Sequence, residues 1–241
     1  MLITNKALFN KGLLLMASFL CIFVSLFLPI WGGAGNGLDA ADNMFNRLSK
    51  GSSYFIPGVQ KQVADLGGKT VTVTAKVKDA KVAERAVANL TKAGATAELK
   101  DGSVTYTGDL GVILSAALAD ADDLFNDRGK AVVDRYALTD KDGEKAVVKA
   151  WWAVLDPSIK ELQKQKLIQE AKVVGQVNKR GLEPGYNFYG IKSEKVLDNV
   201  LPLVGLLVFY VVYTMWYGYA IFDMFGGIGL GMSKPKIKKE A

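Results

Sequence analysis

The chain contains no histidine and a single cysteine, Cys21. Without imidazole there is no His-based acid–base chemistry, no Ser-His-Asp or Cys-His triad and no imidazole-ligated haem. Most zinc and copper sites go with it. One cysteine rules out an internal disulfide and a cysteine-ligated iron–sulfur cluster. It also rules out a Cys-x-x-Cys site for soft-metal trafficking. A chain with no exposed cysteine is safe in an oxidising compartment. Internal repeats and low-complexity tracts are likewise missing. What remains for chemistry is carboxylates, lysine, tyrosine, serine and threonine, so no cofactor, no metal and no catalytic residue is expected.

A strong charge on the folded middle is also lacking. The formal net charge is +6. Most of the surplus sits in the tails, as Lys6, Lys11, Lys234, Lys236, Lys238 and Lys239 against Asp223 and Glu240. Nucleic-acid binding needs a basic stripe on the domain itself. Lys160, Lys164, Lys166 and Lys172 gather on one stretch, but Glu161 and Glu170 interleave them. No nucleic-acid partner is expected.

Two long apolar runs are present, residues 13–31 and 200–222. Each matches the roughly 20 residues needed to cross a hydrocarbon core. The first exceeds a signal-peptide core of about 7–15 residues, and Pro29-Ile30-Trp31 is a poor approach to a cleavage site, so an uncleaved anchor is expected. Lysines near a span hold that end in the cytoplasm. Lys192 and Lys195 pull the other way but are outnumbered. The expected layout is a two-pass protein of the cytoplasmic (inner) membrane, both termini inside and the middle periplasmic or otherwise extracytoplasmic. The tails are then residues 1–12 and 223–241, with lipids as one set of partners.

Residues 32–69 read as a membrane-proximal helical linker. Leu38, Ala41, Phe45 and Leu48 recur at helical spacing, and Pro57 opens a short helix that Gly67-Gly68 closes. Strict alternation over residues 70–77 then predicts a strand with one buried face. Asp79 caps a helix that ends at Gly94. Asp101-Gly102 is a hairpin signal between two strands. Asp109 caps a second helix carrying Leu110, Ile113, Leu114, Ala117, Leu118, Ala121 and Phe125. Residues 131–138 supply a fourth strand. The order β-α-β-β-α-β is the split βαβ, or ferredoxin-like, arrangement over residues 70–138. Residues 139–199 form a helical region. One helix runs from Glu144 to Leu155. Asp156-Pro157 starts another that reaches Asn178, with Gly181 and Pro184-Gly185 breaking it. The fold class is thus α+β: two transmembrane helices flanking an extracytoplasmic ferredoxin-like module, followed by long helices.

Several side chains are candidates for contact rather than chemistry. Ala17, Cys21 and Ser25 recur every four residues, which lets another helix approach closely; Gly227 and Gly231 repeat the pattern at the second span's inner end. Tyr210, Tyr213 and Tyr217 share one helix face. Protein packing is favoured for them over a quinone-like ligand, since tyrosine hydroxyls in hydrocarbon need partners. Trp31, Tyr186, Phe188, Tyr189 and Trp216 are placed in the interfacial aromatic belt. Asp223 lies at the span boundary, where a capping or surface role is expected. Asp120, Asp122, Asp123 and Asp127 form an acidic run without the spacing of an EF-hand, so a solvated helix face is expected. Gly226-Gly227-Ile228-Gly229 has neither the strand nor the Lys-Ser/Thr of a phosphate loop.

These features point to a non-catalytic accessory or structural subunit of a larger membrane complex, with other membrane protein subunits or copies of itself as partners. An alternative is a self-oligomerising scaffold, whose two-anchor layout around an α+β domain resembles that of the polysaccharide co-polymerases. Their proline-rich second span has no counterpart here, where Pro202 stands alone. A carboxylate-based extracytoplasmic enzyme is the other alternative; it needs two carboxyls across a cleft, and the sequence singles out no such pair.

Overall fold

The computed structural model describes residues 3–31, 35–140 and 143–230. The elements run α1 (Lys6–Ser25), α2 (Gly37–Ser52), α3 (Ile56–Ala64), β1 (Thr70–Lys76), α4 (Ala80–Lys92), β2 (Thr96–Lys100), β3 (Ser103–Asp109) and α5 (Leu110–Phe125). Then come α6 (Gly129–Tyr136), α7 (Gly143–Lys164), α8 (Ile168–Val177), a π-helical turn (Asn178–Leu182), α9 (Glu183–Asn187), a 3-10 turn (Val196–Asn199) and α10 (Val200–Gly227). The fold is mixed α+β with a small antiparallel sheet. The chain divides into two compact units. One is Ser49–Ser193; the other joins Met1–Leu48 to Glu194–Ala241.

In the Ser49–Ser193 unit the alternation of β1 is realised residue by residue. Val71, Val73 and Ala75 are buried, while Thr70, Thr72, Thr74 and Lys76 are exposed. Strand β3 pairs with both neighbours, giving the order β1-β3-β2. The β2–β3 hairpin turns at Asp101 and Gly102, both with positive φ (50° and 72°). Two left-handed residues match the twist of the flanking strands, which is why Asp-Gly works there. On the open face Thr72 bonds Thr107 at 2.9 Å and Thr74 bonds Thr105 at 3.0 Å across the strands. The other face carries Val73 and Tyr106 against the buried stripes of α5 (Ile113, Leu114, Ala117, Leu118, Leu124) and α7 (Trp151, Val154, Leu155, Leu162). Asp79 and Asp109 cap α4 and α5 through the backbone N–H groups of Lys81 and Val82, and of Val112.

The expected fourth strand at residues 131–138 is instead α6. Val132 turns into the core while Arg135 and Tyr136, one turn on, reach Asp120. That i, i+3, i+4 spacing is helical, and an alternating strand cannot supply it. Among the described residues the sheet therefore has three strands, and the four-stranded βαββαβ pattern is not completed.

Asp156-Pro157 does not start a helix either. Helix α7 runs through Pro157 to Lys164. An interior proline costs about 3 kcal/mol. The buried residues Trp151, Val154, Leu155, Ser158 and Leu162 continue on both sides of it, and their burial outweighs that cost. The real break lies at Lys166, whose φ is 63°. The breakers Gly181 and Pro184-Gly185 do not stop the chain; it passes through the π turn into α9. Pro184 sits in the first turn of α9, where its missing N–H costs nothing. Gly185 lets that turn press on α5, since a Cβ there would lie 2.6 Å from the Ala121 carbonyl oxygen.

In the other unit α1 and α10 pack as an antiparallel pair. Phe9 lies at Gly227, Gly12 at Ala220 and Met224, and Phe19 at Tyr213 and Tyr217. The first helix starts at Lys6 and ends at Ser25, earlier than the expected span of residues 13–31. Residues 26–31 turn back, and the Trp31 indole donates to the Ser25 carbonyl at 2.8 Å. At 1.5 Å per residue, α1 is about 30 Å long and α10 about 42 Å. None of the most apolar stretch of α10 is buried, unlike a core helix of a soluble fold. The chain thus carries two helices long and apolar enough to cross a membrane.

Candidate functional site

The α1–α10 pair is held by backbone proximity at one end and by aromatic rings at the other. A Cβ on Gly12 would lie 2.6 Å from the Met224 nitrogen, and one on Gly227 would lie 2.7 Å from backbone atoms of Phe9. The backbone N–H groups of Thr4 and Asn5 donate to the Gly227 carbonyl, both at 2.9 Å. Further along, the ring of Phe19 stacks on Tyr213 with centroids 4.3 Å apart and tilts on Tyr217 at 5.0 Å; Phe209 stacks on Tyr213 at 5.3 Å.

This arrangement divides the sequence-derived contact residues. Gly227 is used inside the pair, and Gly231 lies outside the described residues. Tyr213 and Tyr217 meet the chain's own α1. Tyr210 faces outward at 64 % exposure, and its hydroxyl meets no acceptor among the described residues. Ala17 and Cys21 are exposed on α1, and Ser25 is half-buried, its hydroxyl bonded to the Ile22 carbonyl at 2.7 Å. Trp216 is half-buried, and neither its indole N–H nor the Tyr213 hydroxyl finds a partner among the described residues. Asp223 is no surface or capping group: it is buried, with its carboxylate 3.0 Å from the Lys11 ammonium. The sequence hid this pair because 212 residues separate its members.

In the Ser49–Ser193 unit the acidic run is not a solvated face. Asp120 is fully buried and accepts from Arg135, from the Tyr136 hydroxyl at 2.6 Å and from the Trp151 indole at 2.7 Å. Asp123 pairs with Arg135 at 2.6 Å and with Arg128 at 2.9 Å. Asp122 takes Arg128 and the Tyr54 hydroxyl, and Asp127 takes Lys50 at 2.8 Å. Burial pushes the Asp120 carboxyl up, against Tyr136, Trp151 and Arg135, which pull it down. Burial and the Asp120 charge together push the Tyr136 hydroxyl up. These carboxylates are occupied by donors of their own chain, and among the described residues no cluster of three or more acidic, histidine or cysteine side chains is placed to hold a metal. One signal for this network was legible: Asp120 falls on the apolar stripe of α5, between Ala117 and Leu124.

Tyr186, Phe188 and Tyr189 also belong to this unit. Phe188 sets its edge on Phe125 at 6.0 Å, and the Tyr189 hydroxyl bonds Glu144 at 3.2 Å. Tyr186 joins Trp152, Val148, Lys149, Leu182, Glu183 and Asn187 around a small apolar cavity of about 260 Å³. The Lys145 ammonium lies over both tyrosine rings, at 5.3 and 5.8 Å. Comparison with known proteins finds no matching family model, no similar curated protein and no similar solved structure.

Proposed function

We propose that the protein is a non-catalytic subunit of a larger membrane complex, anchored by α1 and α10 in the cytoplasmic membrane. Both termini face the cytoplasm, and the Ser49–Ser193 unit is displayed on the other side. Lysine placement supports this orientation. Support for a non-catalytic role comes from the missing imidazole and from carboxylates already occupied by arginines.

The observation that carries the partner is Tyr210. It lies near the middle of the 32-residue apolar segment Val196–Gly227, pointing outward. A hydroxyl at that depth without a partner is costly in hydrocarbon. A helix from another subunit offers both an acceptor and packing for the ring. A photo-crosslinking residue at Tyr210, activated in native membranes, should form an adduct with another protein. The same residue at Val208, on the opposite side of α10, should give lipid adducts only. An adduct between two copies of this chain would favour the scaffold. Absence of any protein adduct at Tyr210 would sink the subunit reading.

A further inference from the structure

Beside the Lys11–Asp223 pair a groove of about 580 Å³ runs between α1 and α10. Lys11 and Leu15 line it from α1, and Val212, Met215, Trp216 and Tyr219 from α10. The spacing is i, i+4 on one helix and i, i+3, i+4, i+7 on the other, so each helix contributes one face. We infer that this groove is a binding site for an anionic phospholipid of the leaflet nearest the chain termini. The inference rests on the membrane reading above.

Three features select this occupant. The groove has a polar end and an apolar end along the helix axes. Because the helices are antiparallel, Lys11 and Tyr219 lie toward the chain termini while Leu15 and Val212 lie deeper. Val212 to Tyr219 spans about 10 Å, enough to seat the upper part of an acyl chain below a headgroup. Next, the mouth carries a cation. The Lys11 side chain is 67 % exposed, and one salt bridge to buried Asp223 leaves further ammonium N–H bonds to donate. Asp223 pins that ammonium at the groove mouth. Basic positions between transmembrane helices on the cytoplasmic side suit acidic headgroups. Last, below that mouth the wall is made by Leu15, Val212, Met215 and the Trp216 ring, an apolar lining that suits an acyl chain and offers nothing to a wholly polar ligand.

The test uses the full chain in nanodiscs of equal phosphatidylglycerol and phosphatidylcholine, released into mild detergent and weighed by native mass spectrometry. The wild type should retain phosphatidylglycerol over phosphatidylcholine by about fivefold, the factor expected for one lysine near an anionic surface. Met215→Trp fills the groove and leaves the ion pair intact; it should cut retained lipid at least fivefold. Removing the cation together with its partner, in Lys11→Gln/Asp223→Asn, should bring the ratio of the two lipids near one without leaving a buried charge alone. Equal retention of both lipids by the wild type overturns the inference, as does a Met215→Trp variant that retains lipid normally. A companion protein released by Met215→Trp overturns it too, because the groove is then a protein seat. Vesicle flotation separates the two readings. A wild-type chain that floats without lipid preference removes this inference alone, and one that fails to float removes the membrane anchoring with it.

Discussion

At the scale of single residues, the polar interior of the Ser49–Ser193 unit is where the largest consequences lie. Asp120 depends on Arg135 for charge balance. Truncating the arginine in Arg135→Met leaves a buried carboxylate with only neutral donors, and breaking such a pair costs roughly 3–5 kcal/mol. Urea unfolding of the variant should show a midpoint lowered accordingly. Tyr106 makes a second test. Burial pushes its hydroxyl up to about 12, against the Ser158 bond at 3.0 Å that lowers it. A raised folded value means the stabilisation is complete below pH 10 and is lost as pH climbs toward 12, by on the order of 3 kcal/mol. Tyr106→Phe should lose about 1 kcal/mol at neutral pH, since Ser158 keeps its bond to the Val154 carbonyl at 2.6 Å. Its unfolding should then fall less steeply than the wild type's between pH 10 and 12. Parallel curves would remove Tyr106 as the titrating group. Beyond the place of Asp120 on the apolar stripe of α5, these partnerships were illegible in the sequence. The absence of histidine and the single cysteine can be read from composition, but the environment of Asp120 depends on side chains 15 to 31 positions away.

Elements were legible where local chemistry and burial agree. Strand β1, the Asp79 and Asp109 caps and the Asp101-Gly102 turn all follow from short-range rules, and each forms. The rules failed where packing opposed them. Residues 131–138 carry β-branched valines, yet Arg135 and Tyr136 reach Asp120 only from a helix. Pro157 reads as a helix start, yet the buried stripe of α7 continues through it. Two substitutions separate these cases. Val73→Asp places an unpaired charge in the core beneath the sheet and should destabilise by several kcal/mol, roughly 3–5. An unchanged melting temperature would contradict the inward assignment of that side chain. Pro157→Ala removes the interior proline and should leave the helix intact while raising the melting temperature, because the cost of up to about 3 kcal/mol is relieved. A fall in melting temperature would mean that Pro157 packs favourably enough to offset its backbone cost.

For the whole molecule the decisive quantity is the number and direction of membrane crossings. On the proposed membrane reading, two helices of sufficient length and apolarity, packed antiparallel, return the chain to the side from which it started. Lysine placement then decides which side that is, since Lys6 and Lys11 at one end and the lysines after α10 at the other all oppose translocation. The apolar lengths were plain in the sequence, but the start of α1 was not. Hydropathy marks where the run is greasiest, while the helix itself begins at Lys6, behind the Asn5 cap. This earlier start brings Lys11 inside the helix and opposite Asp223. Orientation is tested by single cysteines at Ser53 and Ser233 in a chain with Cys21 replaced. An impermeant thiol reagent added to intact cells with a permeable outer envelope should label the cysteine at Ser53. It should reach the one at Ser233 only after lysis. Labelling of both before lysis would mean a single crossing between the two positions is missing, and the reversed pattern would turn the molecule over. The first result would move only the C-terminal tail, whereas the second would put the Ser49–Ser193 unit on the other side; either removes the lysine argument on which the orientation stands.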